Sequence, residues 1–238
     1  MNLIFKISRF TLALFPNPKV LNFDKLRIAS EIRDKLKGVI DEEPTILPIP
    51  SDVPPEFPRI ILESKNGFSS HISPARVDIN LNFEEGEEET DLKVISSKFV
   101  DSTKNFFSYF TSEFKIGRAG FVVDLFADLN ESSLELLKKL FNEKSYVYKN
   151  KKLYSLNLRI NERENISSLD LNKVVDLDVL RKKSDLSNDQ RLKLQYDINT
   201  LSEKLFEYEI NSDNISSILE FTQTLLSQEN LNQLLSLE

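Results

Sequence analysis

The chain has 238 residues, a formal net charge of −7 and 40% apolar side chains, 17 of them Phe. That is enough to bury a globular core, and the charge has the wrong sign for sequence-independent binding to a phosphate backbone. There is no Cys, no Trp, one His and one Met, with only 5 Gly, which excludes thiolate nucleophiles, disulfides, cysteine zinc sites and His-cluster metal centres within one chain.

Residues Asn2 to Phe15 alternate Leu3, Phe5 and Ile7 with polar neighbours and read as a half-buried strand. Leu26, Ala29, Ile32, Leu36 and Ile40 recur at three- and four-residue steps, an amphipathic helix with Asn22 or Asp24 as its N-cap. Six prolines between Pro44 and Pro58 forbid both a helix and a central strand, and predict a rigid extended crossover along the surface. Arg59 to Ser64 and Phe68 to Ser73 flank Lys65-Asn66-Gly67, a hairpin signal, and Val77, Ile79, Leu81 and Phe83 mark the next strand.

The acidic run Glu84 to Asp91 reads as a solvated loop, followed by a long helix on Leu92, Ile95, Phe99, Phe106 and Phe110. A strand over Phe114 to Leu129 opens the second half, then a short helix on Leu134, Leu137, Leu140 and Phe141. Strands follow at Tyr146 to Tyr148, Leu153 to Ile160, Val174 to Val179 and Gln190 to Thr200, and a final helix from Ser212 breaks near Gln228.

Phe5-Lys6-Ile7-Ser8-Arg9 recurs as Phe114-Lys115-Ile116-Gly117-Arg118, 109 residues on. The order of elements repeats with it. The expectation is therefore an α+β fold of two strand–helix–strands–helix units, residues 1–113 and 114–238, integrated as one domain by internal duplication. Their strands would merge into one curved antiparallel sheet with the helices on one face. In order alone this resembles the saddle of TATA-binding proteins or a helix-grip fold, neither of which supplies a function.

Val53-Pro54-Pro55-Glu56-Phe57-Pro58-Arg59, then Ser64-Lys65-Asn66-Gly67 and later Arg118-Ala119-Gly120-Phe121-Val122-Val123, is similar to a sporadically distributed bacterial protein family of comparable length. That family has the pattern V-P-P-E-x-P-R, S-x-D-G and R-x-G-hydrophobic, and the match covers about a third of the chain. Asn66 stands where the family favours Asp. The resemblance implies an α+β fold and a bacterial origin, carries no established activity, and its patchy distribution points to mobile or defence-linked genes.

Candidate chemistry is sparse, and no catalytic, cofactor or metal residue is assigned. His71 lies on a hairpin strand without a G-x-S-x-G elbow anywhere in the chain, which favours a rim histidine over a general base. Asp78, Asp124, Asp128 and Asp197 fall on strands, where gathered carboxylates can hold a divalent ion or simply pair with cations. Arg59, Arg76, Arg118 and Arg159 also fall on or beside strands, together with Arg163, and are the candidate ligand anchors, since planar guanidinium groups recognise carboxylate and phosphate. The last helix carries more Leu than one buried stripe needs, making Leu226, Leu231, Leu234 and Leu235 a candidate homodimer interface.

These readings favour a non-enzymatic protein–protein interaction component, with a protein partner or homodimer, no cofactor and nucleic acid disfavoured by charge. The alternatives are a small-ligand or nucleotide sensor with an arginine-lined cleft between the halves, and a carboxylate-dependent hydrolase. No run of about 18 apolar residues marks a membrane span. Lys6, Arg9, Pro16 and Pro18 break the pattern of a secretory leader, so the expected location is the cytoplasm.

Overall fold

A computed structural model describes residues 3–18, 24–36, 39–50, 52–83, 92–129, 157–181 and 190–235. The acidic run 84–91, the helix expected near 134–141 and the strand expected at 146–148 lie outside these residues. Strand β1 (Lys6–Pro16) sits at the middle of the sheet because alternate side chains Phe10, Leu12 and Leu14 are at most 2% exposed and need cover, while Arg9, Thr11 and Phe15 point the other way. β1 pairs antiparallel on one side with β5 (Val77–Asn82) and on the other with β6 (Ile116–Leu129).

Around this centre runs a single nine-stranded antiparallel sheet. Taken with β2 (Thr45–Ile46), β3 (Ile60–Glu63), β4 (Phe68–Ile72), β7 (Asn157–Ile166), β8 (Leu169–Arg181) and β9 (Gln190–Thr200), the order is β2-β3-β4-β5-β1-β6-β9-β8-β7. The fold class is therefore mixed α+β with an open antiparallel sheet. Each half of the chain supplies one side of it: β3, β4 and β5 step inward to β1 from one edge, and β7, β8 and β9 step inward to β6 from the other. At the centre of the β1–β6 ladder, Leu12 faces Phe121.

The proline-rich segment is not entirely free of structure, since Thr45 and Ile46 add a two-residue edge strand to β3. An edge is where a chain with so few amide donors can join a sheet. Gly67 fits the hairpin reading. Its φ is +81°, and a Cβ there would come within 2.1 Å of Asn82 O, so no larger residue fits.

Helix α1 (Lys25–Lys35) is capped by the Asp24 carboxylate, which accepts from the amides of Leu26 and Arg27. Ile28, Ala29 and Ile32 are its buried residues, whereas Leu26, expected in the stripe, is 71% exposed. The first turn points Leu26 away from the core, and Ile28 takes its place. Helix α2 (Leu92–Glu113) buries Phe99, Phe106, Phe107 and Phe110, the aromatic stripe its spacing predicts. The Phe99 ring stacks on Phe10 of β1 at 5.1 Å between centroids and meets Phe121 of β6 at 5.5 Å, so α2 rests on the central strand pair.

Helix α3 (Ser212–Leu225) starts with a reciprocal capping box between Asn211 and Asn214 and buries Ile215, Ile218, Leu219 and Thr222. Helix α4 (Gln228–Leu235) then binds the start of the chain by an unusual device. The Asn232 side chain accepts from Leu3 N–H (2.7 Å) and donates to Leu3 C=O (2.9 Å); Gln228 does the same to Phe5 (3.0 and 2.8 Å). Amides at i and i+4 share a helix face, and residues 3 and 5 present their polar groups to the same side of an extended chain. Two side chains thus stand in for a neighbouring strand.

This arrangement corrects the expected interface. Leu226 and Leu231 are 2% and 0% exposed and belong to the chain's own core, and Leu235 packs partly buried against it. Only Leu234, at 36%, faces outward. Extra leucines in the last helix serve a sheet wide enough to need them. Leu231→Ala should therefore cost about 3 kcal/mol in chemical denaturation, whereas Leu234→Ala should change stability by under about 1 kcal/mol. Equal costs for the two would contradict the burial difference.

Candidate functional site

Opposite the apolar rows, the strands present a polar face, and the register assembles it into rows that cross the sheet. Phe15 of β1 is directly paired to Arg118 of β6, and Arg76, the residue just before β5, comes up beside Phe15. The Arg76 guanidinium lies 5.3 Å from the Phe15 ring centroid and that of Arg118 4.8 Å, so two cations flank one aromatic ring. Arg76 also binds Asp78 Oδ1 at 2.6 Å. Arg118 donates from Nε to Thr200 C=O (3.2 Å) and from Nη2 to Asn199 Oδ1 (3.2 Å).

The next row reads His71, Asp78, Ala13, Gly120, Asn199 from β4 to β9. Its two central residues, Ala13 and Gly120, are the smallest available and both are buried beside the guanidinium groups. Burial lifts the Asp78 carboxyl above its ordinary range, and the neighbouring Arg76 only partly offsets this. His71 is half-buried opposite Asp78 and pairs with it across the ladder.

Two rows further on, Asp124 is buried at the sheet centre and gathers three partners. Arg9 Nη2 lies 2.6 Å away, Gln195 Nε2 donates at 2.6 Å and Lys193 Nζ stands at 3.4 Å. Asp128 accepts from Arg191 at 3.0 Å and Asp197 from Asn199 at 2.9 Å. The strand aspartates thus spend their oxygens on neighbouring side chains. Among the described residues, no three His, Asp or Glu side chains are close enough to hold one metal ion.

The structure does not bring all four candidate arginines together. Arg76 and Arg118 converge on Phe15 at the join between the halves. Arg59 is buried, 6% exposed, and donates to the carbonyls of Phe57 (3.0 Å) and Val53 (3.1 Å). It satisfies carbonyls of the proline-rich loop that have no ladder to join, so it holds the loop and does not face a ligand. Arg159 lies on the far edge strand, paired with Asp176 at 3.2 Å; Arg163, on the same strand, reaches Glu203 at 3.5 Å. The sequence reading missed Phe15 as a member of the site, because its position in a strand pattern gives no sign that two cations stack on it.

A further polar cluster closes one end of this face. Lys204, in the 3-10 turn Ser202–Lys204, reaches Asp170 of β8 at 2.6 Å, and the Tyr208 hydroxyl donates to the same carboxylate at 3.2 Å. These partners, with Lys204 first and Asn165 next, hold the Asp170 carboxyl down at about 2.

Comparisons with family models, with curated proteins and with solved structures find no match for the chain. Among the described residues no helix is long and apolar enough to cross a membrane.

A carboxyl held below its ordinary value stabilises the fold above that value and loses the contribution as pH falls through the lowered one. Asp170→Asn should therefore melt below the wild type at neutral pH. The gap should close as pH drops from 3.8 toward about 2. A gap independent of pH in thermal denaturation would show that the Lys204 pairing is not its source.

Proposed function

We propose that the protein is a non-enzymatic binding component that docks a protein partner on the polar face of its sheet, as an accessory of a bacterial defence or mobile-element system. The observation that carries this reading is the Arg76–Phe15–Arg118 stack at the join between the halves. Arginine and aromatic side chains are the residue types that dominate binding energy at interfaces. A broad polar face suits a protein surface better than an enclosed small molecule. Two guanidinium groups favour a partner that presents carboxylates to them. The bacterial context rests on the resemblance carried by Val53 to Arg59.

The same reading takes the fold as a duplication with the helices gathered on the apolar face. Leu12 and Phe121 face each other at the centre of the ladder and are separated by the same 109 residues as the two pentapeptides. A two-fold relation between the halves accounts for that coincidence, and it makes Arg9 and Arg118 counterparts on the two axis strands.

A second reading, a small-ligand or nucleotide sensor, draws on the small paired residues Ala13 and Gly120 beside the same guanidinium groups. The hydrolase reading draws least support, since Asp78 and Asp124 are each bonded to a cation.

The two leading readings separate in one set of measurements. A partner captured from the native host and purified should bind the wild type, and Arg76→Ala/Arg118→Ala should weaken it by about tenfold or more while the melting temperature moves little. Undiminished affinity in the double variant would remove the stack from the interface. A melting shift with nucleotides that the double variant abolishes would transfer the site to the sensor reading.

A further inference from the structure

On the apolar side of the second half, a cleft of about 270 Å³ opens between the outer strands and the last two helices. Its floor is made by adjacent rows of β7, β8 and β9, with Ile160, Val175 and Tyr196 in one and Glu162 and Lys173 in the next. Leu225 of α3 and Asn230 and Leu234 of α4 form the roof. Strand alternation puts this cleft on the opposite side of the sheet from Arg76 and Arg118, so it is independent of the docking face.

Three features set it apart from ordinary surface relief. Tyr196 is 4% exposed as a residue, but its hydroxyl is not one of the buried polar atoms without a partner, so it opens onto the cleft that it lines. Lys173 is similarly withdrawn, its side chain 16% exposed, with Glu162 at 2.5 Å and Glu164 at 3.4 Å. An ammonium has three donors, so these two carboxylates leave one to spare. Asn230 spends its Nδ2 on Thr224 C=O and keeps its Oδ1 as an acceptor.

The geometry points to a binding site for a small zwitterion, an α-amino acid with an aliphatic side chain. The Tyr196 hydroxyl and the remaining Lys173 donor suit its carboxylate. Glu162 and the Asn230 Oδ1 suit its ammonium. Ile160, Val175, Leu225 and Leu234 supply an apolar lining for its side chain. A simple anion is disfavoured because two carboxylates already face the one lysine. The volume falls just under the range typical of drug-sized ligands, which suits a molecule of amino-acid size. The raised Tyr196 phenol, pushed to about 12 by burial and by Glu162, keeps it protonated as a donor across physiological pH.

The test is thermal shift and calorimetry on the full chain with L-leucine, its deaminated analogue 4-methylpentanoate and its decarboxylated analogue 3-methylbutylamine. L-leucine at about 10 mM should raise the melting temperature by about 5 °C, and neither analogue should. Tyr196→Phe, which removes only the hydroxyl that opens onto the cleft, should leave the unliganded protein as stable as the wild type and weaken leucine about tenfold. No shift with leucine, an equal shift with either analogue, or undiminished leucine binding by Tyr196→Phe would each overturn the assignment.

Discussion

The antiparallel pairing of β1 with β6 is the interaction on which the rest of the molecule depends. It is the only ladder in which a strand of residues 1–113 meets a strand of residues 114–238 in the described sheet. Phe10, Phe99 and Phe121 stack over it, all at most 2% exposed, so one aromatic cluster draws on both halves and on α2. Removing such a ring costs about 3–5 kcal/mol, a large part of the net stability of an ordinary domain. Gly117 belongs to the same constraint. A Cβ there would lie 2.1 Å from Leu205 C=O, so the chain after β9 can close against β6 only because the position is glycine.

From that pairing the polar face follows by register. The strand pair that buries Phe10 and Phe121 on one side must present Arg9, Phe15, Arg118 and Asp124 on the other. Charges there are satisfied in pairs, which lets a wide sheet carry ionic groups without a net field of one sign. The polar face proposed for docking and the cleft proposed for a zwitterion therefore lie on opposite sides of the sheet, and each is assembled from several strands.

Much of the fold was legible in the sequence because its signals are local. Alternation predicts β5, β6 and β9 to within about two residues and β1 from four residues too early, the Asn66-Gly67 turn predicts the β3–β4 hairpin, and Asp24, one of two N-cap candidates, begins α1. The β7–β8 hairpin was harder. Its turn is Ser167-Ser168, both with positive φ (49° and 64°), a conformation that serine rarely adopts and that carries no Gly or Asn signal. The spacing accordingly predicts only Val174 to Val179 of the 13-residue β8. The site was less legible than the fold, since hydropathy cannot say whether Leu231 lies under a neighbouring element or faces a partner. Nor can a list of arginines say that Arg59 turns inward to the carbonyls of a proline loop while Arg76 and Arg118 share Phe15.

The central claim is that the polar face exists only when the two halves share one sheet. Expressing residues 1–113 and 114–238 separately, and recording amide NMR spectra of each alone and of the mixture, tests it most directly. Neither half should give a dispersed, native-like spectrum alone, because each would expose the long edge of β1 or β6 and half of the aromatic cluster. A well-dispersed spectrum from either half by itself would show that the join is an interface between finished domains, and would contradict the account.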